Sequence, residues 1–343
     1  MARAAGTRIE APPVALTPSG RRGRVAVLAC APALMVAVEP AGDATREIHL
    51  HPGGQGFWVA RMAALLGADV TLVGPFGGEP GVALRALIEA EGIAVEAIAT
   101  RSANEVWISA DLEGEEASIA RTVPPPLTRH EVDGLATGML AAGLGADISV
   151  LTGGGDGGLD GDRFRHLAHD LHAVGGRVAA DLSGPALAAA LEGGLDVVKV
   201  SDEELVASGL AGPGGVADPV AALGALRARG AAVALVSRAD RPLVAHDGAG
   251  VVEAATPTFQ PVNDRGAGDS MTGATAAALA AGLTVRDALR LAVAAGALNV
   301  TRRGLGTGEA QAIRTLAAEV EVRPLTRDPV GDVAGAGGET DGG

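Results

Sequence analysis

The sequence predicts an α/β fold: a parallel sheet covered on both faces by helices, three layers in all, with a small β-layer beside it. Three observations carry this expectation. Short continuous apolar runs recur along the chain, Ala- and Leu-rich segments of helical spacing alternate with them, and two stretches break the rhythm.

The first run, Val25–Ala29, has no polar residue and marks a strand buried on both faces. Similar runs follow at Asp69–Val73, Asp147–Leu151, Arg177–Asp181, Asp196–Val200 and Ala232–Val236. Between them the spacing predicts helices over Trp58–Leu66, Val82–Glu91, Asp162–Val174, Val216–Arg229 and Asp269–Ala281, many closed by glycine. Ligands are expected beyond the carboxyl ends of such strands. The rhythm breaks at Val38–Pro52 and at Val95–Val123, where Glu105–Leu112 alternates and Glu113-Gly-Glu-Glu suits a hairpin turn. These stretches are expected to form strands outside the main sheet, a cover able to keep water from a crevice.

Composition narrows the function. Hydrophobic residues make up 48% of the 343 and charged ones 20%, enough apolar surface for a sizeable core. Aromatics are only 2%, without Tyr, so the core is built from Ala, Val and Leu, and base stacking on aromatic platforms is not expected. With 41 acidic against 27 basic residues the net charge is -14, which repels phosphate backbones and anionic lipid. Neither a nucleic-acid nor a membrane partner is expected, and no uncharged run reaches the ~18 residues that span a bilayer. A single cysteine, Cys30, rules out an internal disulfide and fits a reducing cytoplasm. The first 23 residues lack an apolar segment and do not resemble a secretory signal.

The sharpest motif is Asn263-Asp-Arg-Gly-Ala-Gly-Asp269, directly before an Ala-rich helical stretch. Gly266 and Gly268 let backbone N–H groups turn toward one point, and a helix start adds partial positive charge, which together make an anion hole for a phosphoryl group. Asp269 beside it is placed to accept the proton of an attacking hydroxyl. The same residues also fit a plain glycine turn capped by Asp. Lys199 is the only lysine among the 27 basic residues. It marks either a task that Arg performs poorly or a strand-end residue reaching for solvent.

The wider arrangement resembles the ribokinase-like carbohydrate kinases, in particular their phosphofructokinase-B family and its 1-phosphofructokinase-like branch, over roughly residues 24–318. Gly53-Gly-Gln-Gly-Phe-Trp-Val-Ala-Arg61 is similar to that family's glycine signature, followed by Leu72–Gly78. Asp181–Gly184 is similar to the segment after the fourth core strand, Lys199–Glu204 to a Lys-Pro-Asn-x-x-Glu element, and Val236-Ser-Arg238 to the start of a nucleotide-binding loop. Asn263–Asp269 resembles the C-terminal signature closely.

The resemblance implies one ribokinase-like kinase domain over 24–320, with lid strands from about 38–56 and 95–123, flanked by disordered tails over 1–23 and 325–343. It implies ATP as phosphoryl donor and Mg²⁺ held mainly by nucleotide and water. In that reading Gly266, Ala267 and Gly268 present backbone donors to the phosphoryl group and Asp269 is the base. Lys199, Ser201, Ser237, Arg238, Asn263 and Asn299 line the nucleotide, and Glu204 organises metal-bound water. The acceptor side falls to Met35, Gly53, Gly54, Gln55, Trp58 and Arg101.

This chain departs from the family pattern on that acceptor side. Ala31-Pro-Ala-Leu-Met35 stands where phosphofructokinases carry Asn-Pro-x-x-Asp, so a thioether replaces a carboxylate, and Gln55 and Trp58 stand where Lys and Asn are usual. Trp58 suits stacking on a ring or packing under the lid. Arg61, Arg101 and Arg121 suit a phosphate or a solvated surface. Ser201 replaces Asn, and Ser237–Pro242 lacks two usual glycines. Asn299 fits an adenine pocket or a helix surface. His166, His169 and His172 recur every three residues, and with His51, His130 and His246 show no metal spacing.

The expected function is therefore an ATP-dependent kinase acting on a hydroxyl of a sugar or a sugar phosphate of the hexose phosphate class. Two alternatives are a kinase of another alcohol such as a nucleoside, and a nucleotide- or metabolite-binding sensor without turnover. An exposed lid strand suits a homodimer.

Overall fold

The computed structural model describes residues 22–41, 45–112, 115–153, 159–208, 218–255, 257, 259–260, 265–301 and 306–325. The chain opens with β1 (Arg24–Leu28), β2 (Ala33–Pro40), β3 (Arg46–Gly53), α1 (Gln55–Leu65), β4 (Asp69–Phe76), α2 (Gly78–Ala90) and β5 (Ala94–Ala99). It continues through β6 (Glu105–Leu112), β7 (Glu115–Arg121), α3 (Arg129–Gly145), β8 (Ile148–Gly153), α4 (Gly161–Ala173), β9 (Val178–Leu182), α5 (Gly184–Gly193) and β10 (Leu195–Ser201). Then come α6 (Asp202–Ala207), α7 (Pro219–Ala228), β11 (Ala231–Arg238), β12 (Arg241–His246) and β13 (Val251–Ala254). Last are α8 (Ala267–Ala280), α9 (Val285–Asn299), α10 (Ala310–Glu319) and β14 (Val322–Pro324).

The main sheet has the order β14-β13-β12-β11-β10-β9-β8-β1-β4-β5, parallel from β11 to β5 and antiparallel from β11 to β14. Its apolar strands are buried on both sides because helices cover both: β9 has no exposed residue. One core gathers Phe57 and Met62 of α1, Leu84 of α2 and the alanines of α8 and α9. The other gathers Met139 of α3, Phe164 of α4, Leu187 of α5 and Leu226 of α7. Each fully buried Leu or Phe contributes roughly 1.5–3 kcal/mol.

Helix α8 is buried along its whole length from Ser270 to Ala280, which its small side chains permit. At Gly273 a Cβ would lie 2.4 Å from the Val59 carbonyl oxygen, so glycine brings α8 against the backbone of α1. The two Gly-capped helices thus start side by side at the carboxyl end of the sheet.

A second sheet, β3-β2-β6-β7, forms the lid. Two expectations are corrected. The lid begins at Ala33, because Ala33–Pro40 pairs with β3 along its full length. Ala94–Ala99 is not part of it: the segment pairs in parallel with β4 as the edge of the main sheet, and its alternating half-exposed pattern is that of an edge strand. The turn at Glu113–Gly114, residues 216–217 of a predicted helix, and the tails 1–21 and 326–343 lie outside the described residues. Among the described residues, none forms a helix long and apolar enough to cross a membrane.

Candidate active site

Strands β9 and β10 run in register with Asp181 opposite Lys199. Lys199 Nζ lies 3.4 Å from Asp181 Oδ1, and the two residues are 7% and 0% exposed. Thr272, in α8, donates its Oγ1 proton to Asp181 Oδ2 at 2.6 Å. A Cβ at Gly268 would lie 2.5 Å from Lys199 Nζ, so glycine lets the first turn of α8 rest directly on the ammonium. Sheet and helix therefore meet through one buried ion pair.

Asp269 sits half-buried in that same turn. Burial pushes its carboxyl up to about 8, the carboxylates of Asp181 and Glu204 add to the rise, and Lys199 and a hydrogen bond from Gln55 oppose it. For Lys199 burial works against the charged form, but Asp181, Glu204 and Asp269 outweigh it and hold the amine above its ordinary value. The helix N-cap is Gly266 at φ 74°, a left-handed conformation suited to glycine, and no side chain caps α8. Helix α1 starts likewise at Gly54, φ 103°, without a side-chain cap. Two such helix starts beside an ammonium suit an anion.

The remaining predicted nucleotide residues divide. Ser201 and Glu204 form a capping box on α6: Ser201 Oγ accepts from Glu204 N at 3.1 Å and Glu204 Oε2 from Ser201 N at 2.7 Å. Ser237 pairs with Ser201 across β10 and β11, and its Oγ donates to the Val200 carbonyl at 3.4 Å. Arg238 donates its Nε proton to the Pro242 carbonyl at 2.7 Å, which ties its guanidinium across the β11–β12 turn. Asn263 lies outside the described residues. Asn299 is fully buried, not on a helix surface: its Nδ2 donates to the Arg265 carbonyl at 2.7 Å and its Oδ1 accepts from Gly306 N at 2.9 Å. It is a strut beneath the Gly266 turn.

On the acceptor side, Gln55 joins three elements. Its Oε1 accepts from Gly153 N at 3.0 Å, its Nε2 donates to the Asp181 carbonyl at 3.4 Å, and it hydrogen-bonds Asp269. The Met35 Sδ lies where a Cβ at Gly53 would be, 2.6 Å from it, and a Cβ at Gly54 would lie 2.6 Å from the Ala31 carbonyl oxygen. Both glycines admit a close approach. Trp58 packs half-buried against the core, and Arg101 is exposed with its N–H bound by Glu131. No described contact joins either to Asp269.

Sequence reasoning missed three features. Asp181 is visible in the sequence only as a landmark, although an acid near the end of an otherwise apolar strand is a signal. Asn104 pins the lid: its Oδ1 accepts from Gly77 N at 2.8 Å, and its Nδ2 donates to the carbonyls of Pro32 and Pro75 at 3.0 and 2.9 Å. Arg265 lies over the Trp107 ring of β6, 5.5 Å from its centroid. A cavity of about 360 Å³ lined by Arg24, Asp69 and Gly145 lies at the opposite, amino end of the strands and is not part of this site.

A profile of the "pfkB family carbohydrate kinase" family matches residues 30–312. The chain belongs to the pfkB family of carbohydrate kinases. It is 30% identical over 261 residues, 74% of this chain and 82% of the relative, to ATP-dependent 6-phosphofructokinase isozyme 2 of Escherichia coli (strain K12). It is 30% identical over 246 residues, 71% of this chain and 77% of the relative, to 1-phosphofructokinase of Rhodobacter capsulatus. The structure of the tetrameric inhibited form of phosphofructokinase-2 from Escherichia coli superposes with a TM-score of 0.74 at 25% identity, covering 87% of this chain and 99% of that one. As a pfkB-family kinase the protein transfers phosphate to a sugar hydroxyl, with ATP as the co-substrate the family implies.

Proposed function

We propose that this pfkB-family kinase passes the γ-phosphoryl group of ATP to a hydroxyl of a sugar phosphate of the hexose phosphate class, with Asp269 as general base. The observation that carries the reading is Asp269 itself: a carboxyl raised to about 8, in the first turn of an uncapped helix, beside a buried lysine. In the transfer the acceptor proton goes to Asp269, the acceptor oxygen bonds to the γ-phosphorus, and the bond to the bridging oxygen breaks so that ADP leaves. The backbone N–H groups of Gly266, Ala267 and Gly268 receive the phosphoryl charge, and Lys199, Ser201, Ser237 and Arg238 face the nucleotide chain.

The donor set suits Mg²⁺ held mainly by nucleotide and water. Asp181 is occupied by Lys199 and Thr272, and one oxygen of Glu204 by Ser201, which leaves the other Glu204 oxygen for a bound water. Such an ion would neutralise phosphate charge. Ile48 and Leu50, 67% and 50% exposed on the lid, support a homodimer through that sheet. ATP as co-substrate and a lone buried thiol, Cys30, support a cytoplasmic setting.

Met35 on the acceptor side favours a second reading, a kinase of a less polar alcohol such as a nucleoside. ATP consumption over a panel of sugars, hexose phosphates and nucleosides decides. Stimulation by a hexose phosphate is expected. Stimulation only by a nucleoside selects the second reading, and fold stabilisation by ATP without stimulation by any acceptor makes the protein a sensor.

A further inference from the structure

Gln55 opens α1 directly behind Gly54, and its partners leave its amide one orientation. Gly153 N can only donate, and it donates to Oε1 at 3.0 Å; the Asp181 carbonyl can only accept, and Nε2 reaches it at 3.4 Å. The opposite assignment of oxygen and nitrogen would set donor against donor and acceptor against acceptor. Nε2 carries a second proton, and its hydrogen bond goes to the Asp269 carboxyl.

Both anchors are firm. Gly153 ends β8 at φ 123°, a conformation that favours glycine, and a Cβ there would lie 3.1 Å from the Sγ of buried Cys30. That Sγ donates in turn to the Thr152 carbonyl at 3.3 Å. Asp181 belongs to β9, which is buried throughout. Gln55 therefore ties the first turn of α8 to the ends of two core strands.

A carboxylate acts as a base through one oxygen at a time, so its orientation matters as much as its charge. The charged groups that face Asp269 are Asp181 of β9, Lys199 of β10 and Glu204 of α6, and these act on it through their charge, whereas Gln55 binds it directly. Lys199 spends its contact on Asp181 Oδ1. A neutral amide holds a carboxylate without cancelling the charge that a base needs.

We propose that Gln55 is a positioning residue for the base: its Nε2 holds one oxygen of Asp269 in a fixed direction and so turns the other toward the hydroxyl of the acceptor. This rests on the reading of Asp269 as general base.

The test compares wild type, Gln55→Leu, Gln55→Glu, Asp269→Asn and the double variant Gln55→Leu with Asp269→Asn. The acceptor is whichever sugar, hexose phosphate or nucleoside of the panel wild type phosphorylates, and rates are taken per ATP-binding site counted by calorimetry. Gln55→Leu is expected to lower single-turnover transfer about 10- to 100-fold while KM for ATP moves less than about twofold. Its kcat/KM midpoint is expected at higher pH than that of wild type, because the lost hydrogen bond favoured the ionised carboxylate. Gln55→Glu keeps an oxygen for Gly153 N but sets a like charge against Asp269, and is expected to move the midpoint further up. With Asp269→Asn already in place, Gln55→Leu is expected to cost less than about twofold, since a positioning residue has nothing left to position.

The same fold-loss with and without Asp269 overturns the proposal, and so does an unchanged rate and midpoint in Gln55→Leu. Either result beside a large loss in Asp269→Asn leaves the base standing. Transfer by Asp269→Asn within tenfold of wild type, or a wild type that phosphorylates no member of the panel, overturns both.

Discussion

Lys199 and Asp181 face each other from adjacent parallel strands with 3.4 Å between Nζ and Oδ1, and both are shut away from solvent. The pair supports Gly268 from below, and Gly268 is one residue from Asp269. Position of the proposed base and charge of the floor are therefore set together. Removing one partner leaves an uncompensated buried charge, which costs about 3–5 kcal/mol. Lys199→Met is expected to lose that much in denaturant unfolding and to abolish turnover. Lys199→Met with Asp181→Leu is expected to regain most of the stability and none of the activity. Equal stability of the single and double variants would show that the pair carries no such charge.

Gly268→Ala separates packing from chemistry. The added methyl meets only the tip of a flexible lysine, 2.5 Å away, so the side chain shifts and the backbone stays. Midpoint of thermal unfolding is expected to change by a few degrees, and kcat to fall about 100-fold as the ammonium leaves its place. A fall in stability with unchanged kcat on the folded fraction contradicts this.

The pH dependence follows from Asp269. As a base it must be ionised, so kcat/KM is expected to rise with pH through about 8. Because Asp181 raises the Asp269 carboxyl, Asp181→Asn is expected to move that midpoint down. For stability the sign is opposite: the folded value lies above the ordinary 3.8, so this contribution is fully present below 3.8 and is lost as pH rises through about 8. Asp269→Asn removes the loss, and its stability relative to wild type is expected to grow between those limits in urea titrations. A flat difference across that range contradicts the assignment.

Asn104 predicts a lid effect. Its side chain bridges the Pro32 loop, the Pro75–Gly77 segment and the start of β6, so Asn104→Ala leaves three backbone groups without their partner. A cost of about 2–4 kcal/mol is expected. KM for the acceptor is expected to rise more than KM for ATP, since the proposed acceptor side lies under the lid. Equal rises indicate a general loss of folding.

Much of this arrangement was legible in the sequence, and the exceptions have physical reasons. Strands β1, β8, β9 and β10 announce themselves because burial on both faces demands an unbroken apolar run. Edge strand β5, half-exposed, alternates like a lid strand and is misplaced by that criterion. Gly266, Gly268 and Asp269 are readable because backbone geometry constrains them locally. Asp181 is 18 residues from Lys199 and meets it only through strand register, and the Arg265–Trp107 contact depends on where the lid folds back. Neither relation exists at the level of local spacing.

The most direct test of the central claim is Asp269→Asn, a nearly isosteric change that removes the base and leaves the anion hole. Single-turnover phosphoryl transfer to the acceptor chosen by the panel is followed beside calorimetric binding of ATP. The rate is expected to fall by about 10²–10⁴ while the Kd for ATP stays within a few-fold. Transfer within tenfold of wild type contradicts the account, because the proton of the acceptor would then be leaving by another route.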